Sequence, residues 1–488
     1  MELKVNVGSY GENVEMMSPE PVSPTGQYFN SSVLSVSVIS ILEFDNPIDD
    51  SASLELVNNV FLPINPRFSS IMVEDGGGGG KHWKRVEVKG EDHIKVPRFP
   101  DGLSPESYDH HFNDYLSKIA TDPLPQTRPL WEIHIFKYPT SNASGSLVFK
   151  LHHALGDGFS LMGALLSCLQ RADNPSLPLT FPNFQRSAPS KQQDNNNDNN
   201  NNNNHHHKEI IMRLIPQAFN TILDFCWSIF KSSFLEDNPT PIRSGKQGVE
   251  FQPINIMTMS FSLEQIKNIK TSLQVTINDV ITAIIFLGTR LYMEETCEEA
   301  KNARSTALVL LNTRSIGGYK SVNEMVQNQE AQVQWGNQFG FLHVPLPSLH
   351  PCDSLNPLKF VQQTKNVIKR KRNSSAVYLT GMLLESVRKY RGPEATAEYI
   401  HNTLKNSSMT VSNMIGPLEK MTLTNQPIKG LYFMVVNIPQ SLTVTIMSYM
   451  DQLRVAVGTE KGLIDQAKFR KCTEKAFTIM YNAAVVDK

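Results

Sequence analysis

The chain has 488 residues, with 46 basic and 47 acidic side chains and a formal net charge of -1. That balance gives no electrostatic case for a nucleic-acid partner, and 40% hydrophobic against 19% charged residues is enough to bury a real core. The length points to two domains. The five cysteines (Cys168, Cys226, Cys297, Cys352 and Cys472) show neither zinc-site spacing nor a disulfide framework, and fit a reducing compartment.

In chain order, residues 1–20 look loosely ordered, and their prolines and acidic residues do not read as a secretory leader. Residues 32–44 are β-branched and alternating, the pattern of a strand. Residues 54–61 read as a helix ended by Pro63, residues 76–80 as a glycine loop, 83–88 as a strand and 108–119 as a helix. Residues 132–136 alternate, and a short polar turn lets them pair with the apolar strand 146–152. That strand ends in His152-His153-Ala154-Leu155-Gly156-Asp157-Gly158, and Phe159, Met162, Leu165, Leu166 and Leu169 then recur at helical spacing. Asp157 stands where a helix cap is expected, and Gly156 and Gly158 allow a sharp turn close to a ligand.

Residues 191–208, with an asparagine tract and three histidines, read as a solvated linker. No metal is expected there, because nothing nearby would rigidify a coordination shell. Residues 210–235 form an amphipathic helix with Ile211, Ile215, Ala218, Ile222, Phe225 and Ile229 on one face. Arg213, Pro216, Asp224 and Lys231 make it a poor membrane span, so it either packs on the protein's own core or lies in a membrane interface. Periodicity does not separate the two.

Residues 263–270, 280–292 and 465–482 read as helices, with Thr276 or Asn278 capping the second. Residues 360–371 read as a basic helix with a solvated face. Residues 306–312, 342–346, 410–413 and 431–436 read as strands, 442–449 with 453–457 as a hairpin, and 335–340 as a glycine-spaced turn. The expected organisation is a lobe at 1–190, the linker at 191–208, the amphipathic helix and its connection at 209–250, and a second lobe at 251–488, in mixed α/β layers.

A histidine on a turn, neutral near pH 7, is suited to take a proton from a hydroxyl as it attacks a carbonyl. The sequence has no Gly-x-Ser-x-Gly elbow, no activated cysteine context, no phosphate-binding loop and no dinucleotide fingerprint. Direct transfer between two bound substrates is therefore favoured over a covalent acyl-enzyme.

His152 to Gly158 matches the HHxxxDG signature of the CoA-dependent acyltransferase superfamily. The chain more narrowly resembles plant wax ester synthase/diacylglycerol acyltransferases. Asn65-Pro66-Arg67-Phe68, Pro129-Leu130-Trp131, Asn278-Asp279-Val280, Asn312-Thr313-Arg314 and Ser412-Asn413 with Gly416-Pro417 fall in that family's order. The resemblance implies a two-lobed chloramphenicol acetyltransferase-like fold, acyl-CoA as co-substrate with no permanently bound cofactor, and a fatty alcohol or diacylglycerol as acceptor. It implies His153 as general base, with His152, Asp157 and Gly158 holding the turn. Asp157 would meet an arginine, for which Arg314 is the candidate. Asn278 would position substrate or stabilise the oxyanion, or simply cap its helix. Association with the cytosolic face of the endoplasmic reticulum, and possibly the plasma membrane, is also implied. Two alternatives stay open on the residues: acyl transfer to a soluble alcohol or amine, and a lipid-binding protein without catalysis. The Asp-Phe-Gly-Trp-Gly block typical of the soluble plant acyltransferases is absent here.

Overall fold

The computed structural model describes residues 20–74, 80–177, 179–180, 203–313, 335–349 and 357–486, of which 203–217 by their backbone alone. The first half of the chain contributes strands β1 (Ser37–Phe44), β2 (Ser70–Glu74), β3 (Lys81–Arg85), β4 (Ile94–Lys95), β5 (Trp131–Phe136), β6 (Gly145–His152) and β7 (Gln170–Arg171). Its main helices are α1 (Pro24–Phe29), α2 (Pro105–Thr121) and α3 (Gly158–Ser167). From Asn203 onward come α4 (Asn203–Phe234), α5 (Leu263–Leu273), α6 (Ile277–Thr296), α7 (Pro357–Asn373), α8 (Ala376–Lys405) and α9 (Gln466–Tyr481). With them come β8 (Ile254–Ser262), β9 (Thr306–Asn312), β10 (Phe339–Pro345), β11 (Met409–Ile415), β12 (Met421–Leu423), β13 (Gln426–Val436), β14 (Leu442–Tyr449) and β15 (Gln452–Glu460).

Two mixed sheets carry the architecture. The first runs β4-β5-β6-β1-β13-β12-β7 and the second β10-β9-β11-β14-β15-β8. β1 and β6 are buried at every position, as strands enclosed on both faces must be, and they pair antiparallel with Ser37 opposite His152. β12 and β13 come from the far end of the chain yet complete the first sheet, so the two lobes share strands. An ion pair between Glu43 of β1 and Arg454 of β15 ties one sheet to the other.

Several elements differ from the sequence expectation for identifiable reasons. β1 begins only at Ser37. The turns after Ser53 continue through Pro63 to Ile64, because Pro63 opens the last short helix, where its missing N–H costs nothing. Helix α8 was not expected at all. At Gly392 (φ 88°) and Pro393 the chain bends and the helix then resumes. The tract 191–202 lies outside the described residues, and from Asn203 the backbone is helical, so residues 205–207 fall in α4 rather than in a linker. No Pro or Gly interrupts the chain between 203 and 215, so nothing there stops the helix. The glycine run 75–79 also lies outside the described residues.

Helix α4 packs with its polar side inward. Asp224 accepts hydrogen bonds from Lys371 Nζ (2.7 Å) and Arg370 (3.3 Å) of α7, and Thr221 Oγ1 accepts from the Ser375 amide (3.2 Å). Lys231 donates to Asp237 (2.7 Å) and to the Asn406 carbonyl (2.6 Å). Lys371 is therefore buried in an ion pair, against the expectation of a solvated face. Phe219 (62% exposed), Ile222, Leu223, Trp227, Phe230 and Phe234 (78% exposed) point away from the protein. Of the face named from the sequence, Ala218 and Ile222 are exposed while Phe225 and Ile229 are half-buried, so this part of the helix is only partly packed on the protein's own core. The buried charges Lys371 and Asp237 need partners of opposite sign. Among the described residues no single helix is long and apolar enough to cross a membrane.

Candidate active site

β6 delivers both histidines to the junction of the lobes. His152 is locked by local bonds. Its Nδ1 accepts from the Ala154 amide (3.1 Å), which leaves the proton on Nε2 to donate to Ser35 Oγ (3.1 Å). Burial and the neighbouring His153 drive its pKa down to about 3. It is a neutral, fully engaged side chain that shapes the turn.

His153 is also buried, but its ring is otherwise placed. The ring lies against Phe29 of α1 (centroids 4.6 Å apart) and Phe339 of β10 (5.5 Å). Its Nδ1 has no hydrogen-bond partner of good geometry among the described residues. Burial pushes the imidazole pKa below the ordinary value; the Asp157 carboxylate, the carbonyl of His153 itself and the Asn337 side chain pull it partly back. Its main chain is held firmly, the amide donating to the Val36 carbonyl (2.8 Å) and the carbonyl accepting from Asn337 Nδ2 (3.0 Å). The result is a neutral imidazole on a rigid support.

Residues 335–338 of the second lobe clasp this turn. Trp335 Nε1 donates to the Leu155 carbonyl (2.8 Å), the Asp157 amide donates to the Gly336 carbonyl (3.3 Å), and the Gly336 amide donates to Ser160 Oγ (3.1 Å). Asp157 bridges the lobes: Oδ1 accepts from the Ser160 amide as the cap of α3 (3.1 Å), and Oδ2 accepts from the Gln338 amide (3.0 Å). The expected cap is therefore present. Arg314, its candidate partner, lies outside the described residues. Gly156 and Gly158 keep negative φ, so their role is close approach. A Cβ on Gly156 would stand 2.8 Å from Ser160 Cβ, and one on Gly158 would stand 3.0 Å from Met414 Sδ.

Two of the other motif blocks reach the same turn, one through Arg67 and one through the Leu130 carbonyl, which accepts from the His152 amide (3.0 Å). Arg67 reaches the Leu155 carbonyl (3.2 Å) while paired with Glu20 (2.6 Å), and Trp131 Nε1 donates to the Phe68 carbonyl (2.9 Å). Asn278 is exposed and accepts from Asn413 of β11; the helix cap is Thr276, which closes a capping box with Asp279. Sequence reading named the 335–340 turn but missed Trp335, Asn337 and Gln338 as site residues. The Gly-Asn-Gln run ahead of a strand was a usable turn signal, but nothing in it points to a histidine 184 positions away. Among the described residues no group of His, Cys, Asp and Glu is arranged to hold a metal.

Residues 64–281 match the wax ester synthase/diacylglycerol acyltransferase catalytic domain and residues 335–481 the WS/DGAT C-terminal domain. Wax ester synthase/diacylglycerol acyltransferase 4 of Arabidopsis thaliana is 28% identical over 476 residues, 95% of this chain and 90% of that protein. The wax ester synthase/diacylglycerol acyltransferase from Marinobacter aquaeolei VT8 superposes with a TM-score of 0.57 at 15% identity, over 95% of this chain and 99% of that one. The first condensation domain of the CDA synthetase superposes with a TM-score of 0.50 at 12% identity, over 92% and 90% of the two chains. At such identity the superpositions speak for the fold alone, the expected mixed α/β two-lobed one. With the catalytic and C-terminal domains matched in order along it, the chain belongs to the wax ester synthase/diacylglycerol acyltransferase family.

Proposed function

We propose that this enzyme moves a long-chain acyl group from acyl-CoA to a fatty alcohol, to diacylglycerol, or to both, with His153 as general base and no covalent intermediate. The neutral, buried His153 imidazole, clasped between the lobes, is the observation that carries the reading. The ring takes the proton of the acceptor hydroxyl as its oxygen bonds to the thioester carbonyl carbon. The C–S bond then breaks, and the proton passes to the leaving CoA thiolate. A covalent route finds no support in the groups about the turn: Ser160 Oγ is engaged by both the carbonyl and the amide of Gly336, and at the far end of α3 burial pushes the Cys168 thiol up to about 12.

The outward apolar face of α4 supports a second part of the proposal, that the protein works at a membrane surface, the cytosolic face of the endoplasmic reticulum being the expected one. A helix with charged groups on its inner side and Phe219, Trp227, Phe230 and Phe234 outside suits an interfacial position. The deciding experiment is product formation from labelled palmitoyl-CoA with hexadecanol and with diacylglycerol, in wild type and His153→Ala. Wax ester or triacylglycerol from wild type, with a loss of about 10²–10⁴-fold in the variant, supports the reading. Equal turnover by both proteins refutes His153 as base, and no product with either acceptor refutes the activity.

A further inference from the structure

His153 Nδ1 and Asn337 Oδ1 are both buried, and neither meets a hydrogen-bond partner of good geometry among the described residues. They belong to side chains on residues already joined by one bond, from Asn337 Nδ2 to the His153 carbonyl (3.0 Å). That bond settles which end of the amide is which, because a carbonyl accepts from nitrogen and not from oxygen. Oδ1 is therefore the end left over. The Asn337 side chain is also one of the groups that favour a proton on the His153 ring. A ring nitrogen and an amide oxygen that each lack a partner thus stand on one bonded pair of residues, where buried polar atoms are ordinarily satisfied.

Asn337 is delivered there by a firmly held segment. On one side of it, Gly336 exchanges bonds with Ser160 Oγ and accepts from the Asp157 amide. On the other, the Gln338 amide donates to Asp157 Oδ2, and the Gln338 carbonyl accepts from the Thr313 amide (3.1 Å). Gly336 lies at φ 123°, which L side chains rarely adopt, so glycine lets the segment turn at that point. The other groups at the turn have their own tasks. The Asp157 carboxylate, the type of group that orients the imidazole of a serine triad, is engaged by the amides of Ser160 and Gln338. His152 has both ring nitrogens bonded, to the Ala154 amide and to Ser35.

We propose that Asn337 is a positioning residue that sets the tautomer of His153: its Oδ1 accepts from Nδ1–H, which leaves the lone pair on Nε2, the nitrogen that then receives the proton of the acceptor hydroxyl. This role rests on the acyltransferase reading above, and it makes the base competent through a contact supplied by the other lobe. When Nε2 gains the hydroxyl proton both ring nitrogens are donors, and Nδ1–H stays with Oδ1 while Nε2 passes its proton to the leaving thiolate. A neutral amide does this without placing a second negative charge beside Asp157.

The test uses the full-length protein, isotope-labelled at the histidine ring nitrogens and read by nitrogen NMR. The His153 resonances are identified by their absence from His153→Ala, and their shifts report which ring nitrogen carries the proton. The expected result is a proton on Nδ1 in wild type and a mixture of tautomers in Asn337→Ala. A proton on Nε2 in wild type, or an unchanged tautomer in Asn337→Ala, overturns the proposal. This reading needs no turnover, so the expected tautomers in a protein that transfers no acyl group would refute the acyltransferase reading and leave the role of Asn337 in the tautomer standing. Turnover of palmitoyl-CoA with hexadecanol, measured above the acid limb, gives the second reading. Asn337→Ala is expected to lower kcat at least tenfold. Asn337→Asp keeps an acceptor for Nδ1–H but loses the donor to the His153 carbonyl, and is expected to hold the wild-type tautomer and to turn over at least tenfold faster than the alanine variant. If Asn337 only held the carbonyl, aspartate would do no better than alanine, and that result overturns the proposal.

Discussion

Replacing Asp157 by alanine tests whether the lobes are held together at His153, the proposed general base. The carboxylate caps α3 through the Ser160 amide and receives the Gln338 amide from the second lobe. Loss of a cap costs about 1 kcal/mol, and leaving a donor at the clasp without its partner costs about 1–3 kcal/mol more, so Asp157→Ala should destabilise by roughly 2–4 kcal/mol. Asp157→Asn keeps an acceptor for one amide while turning a donor toward the other, and should lose about half of that. Turnover should fall further than stability alone explains. The His153 carbonyl is held by Asn337, one residue from Gln338, and a displacement of about 1 Å at a catalytic group costs on the order of 10²-fold. Denaturant unfolding gives the first quantity, and labelled-acyl transfer under folded conditions the second. An alanine variant within about 0.5 kcal/mol of wild type and with unchanged turnover would refute the clasp; that is the range of ordinary surface substitutions.

Other outcomes follow from the same geometry. The acid limb of kcat/KM should lie below the ordinary histidine value of 6.5, because burial disfavours the protonated His153 and the neutral base persists to lower pH; a limb above 6.5 would contradict this. Asn337→Asp adds a carboxylate beside the ring and should move that limb upward, whereas Asn337→Ala should slow turnover without an upward shift. His152 and His343 are held at about 3 in the fold, against 6.5 when free. Unfolding therefore takes up protons in that window, and stability should fall as pH drops from about 6.5 toward 3, each group contributing up to about 1.4 kcal/mol per pH unit. Acid unfolding midpoints of His343→Gln measure one share of this, and a slope equal to wild type would count against it. The double substitution Ile222→Asp and Phe230→Asp should leave unfolding unchanged, since both side chains are exposed, and should release the protein from liposomes. Aggregation of that variant would show that the face is covered in the folded protein.

Much was legible without coordinates because it is local. The β-branched, alternating pattern marks β1 and the apolar run before the histidines marks β6 as strands, the helical spacing after Gly158 marks α3, and Asp157 stands where a cap belongs. The two histidines end a buried strand at a tight turn, which is a statement about neighbouring residues. Tertiary structure alone decided which distant groups meet. Nothing in the spacing of residues brings β13 beside β1, the Gln338 amide to Asp157, or Asn337 to His153, because pairings between such distant positions depend on packing that no local period encodes. The amphipathic helix shows the division most sharply. Its two faces were evident from a period of 3.6, but which face turns inward was not. That was decided by Lys371, Asp237 and His343, buried polar groups outside the helix that find partners in Asp224, Lys231 and Ser228 on the polar side of α4.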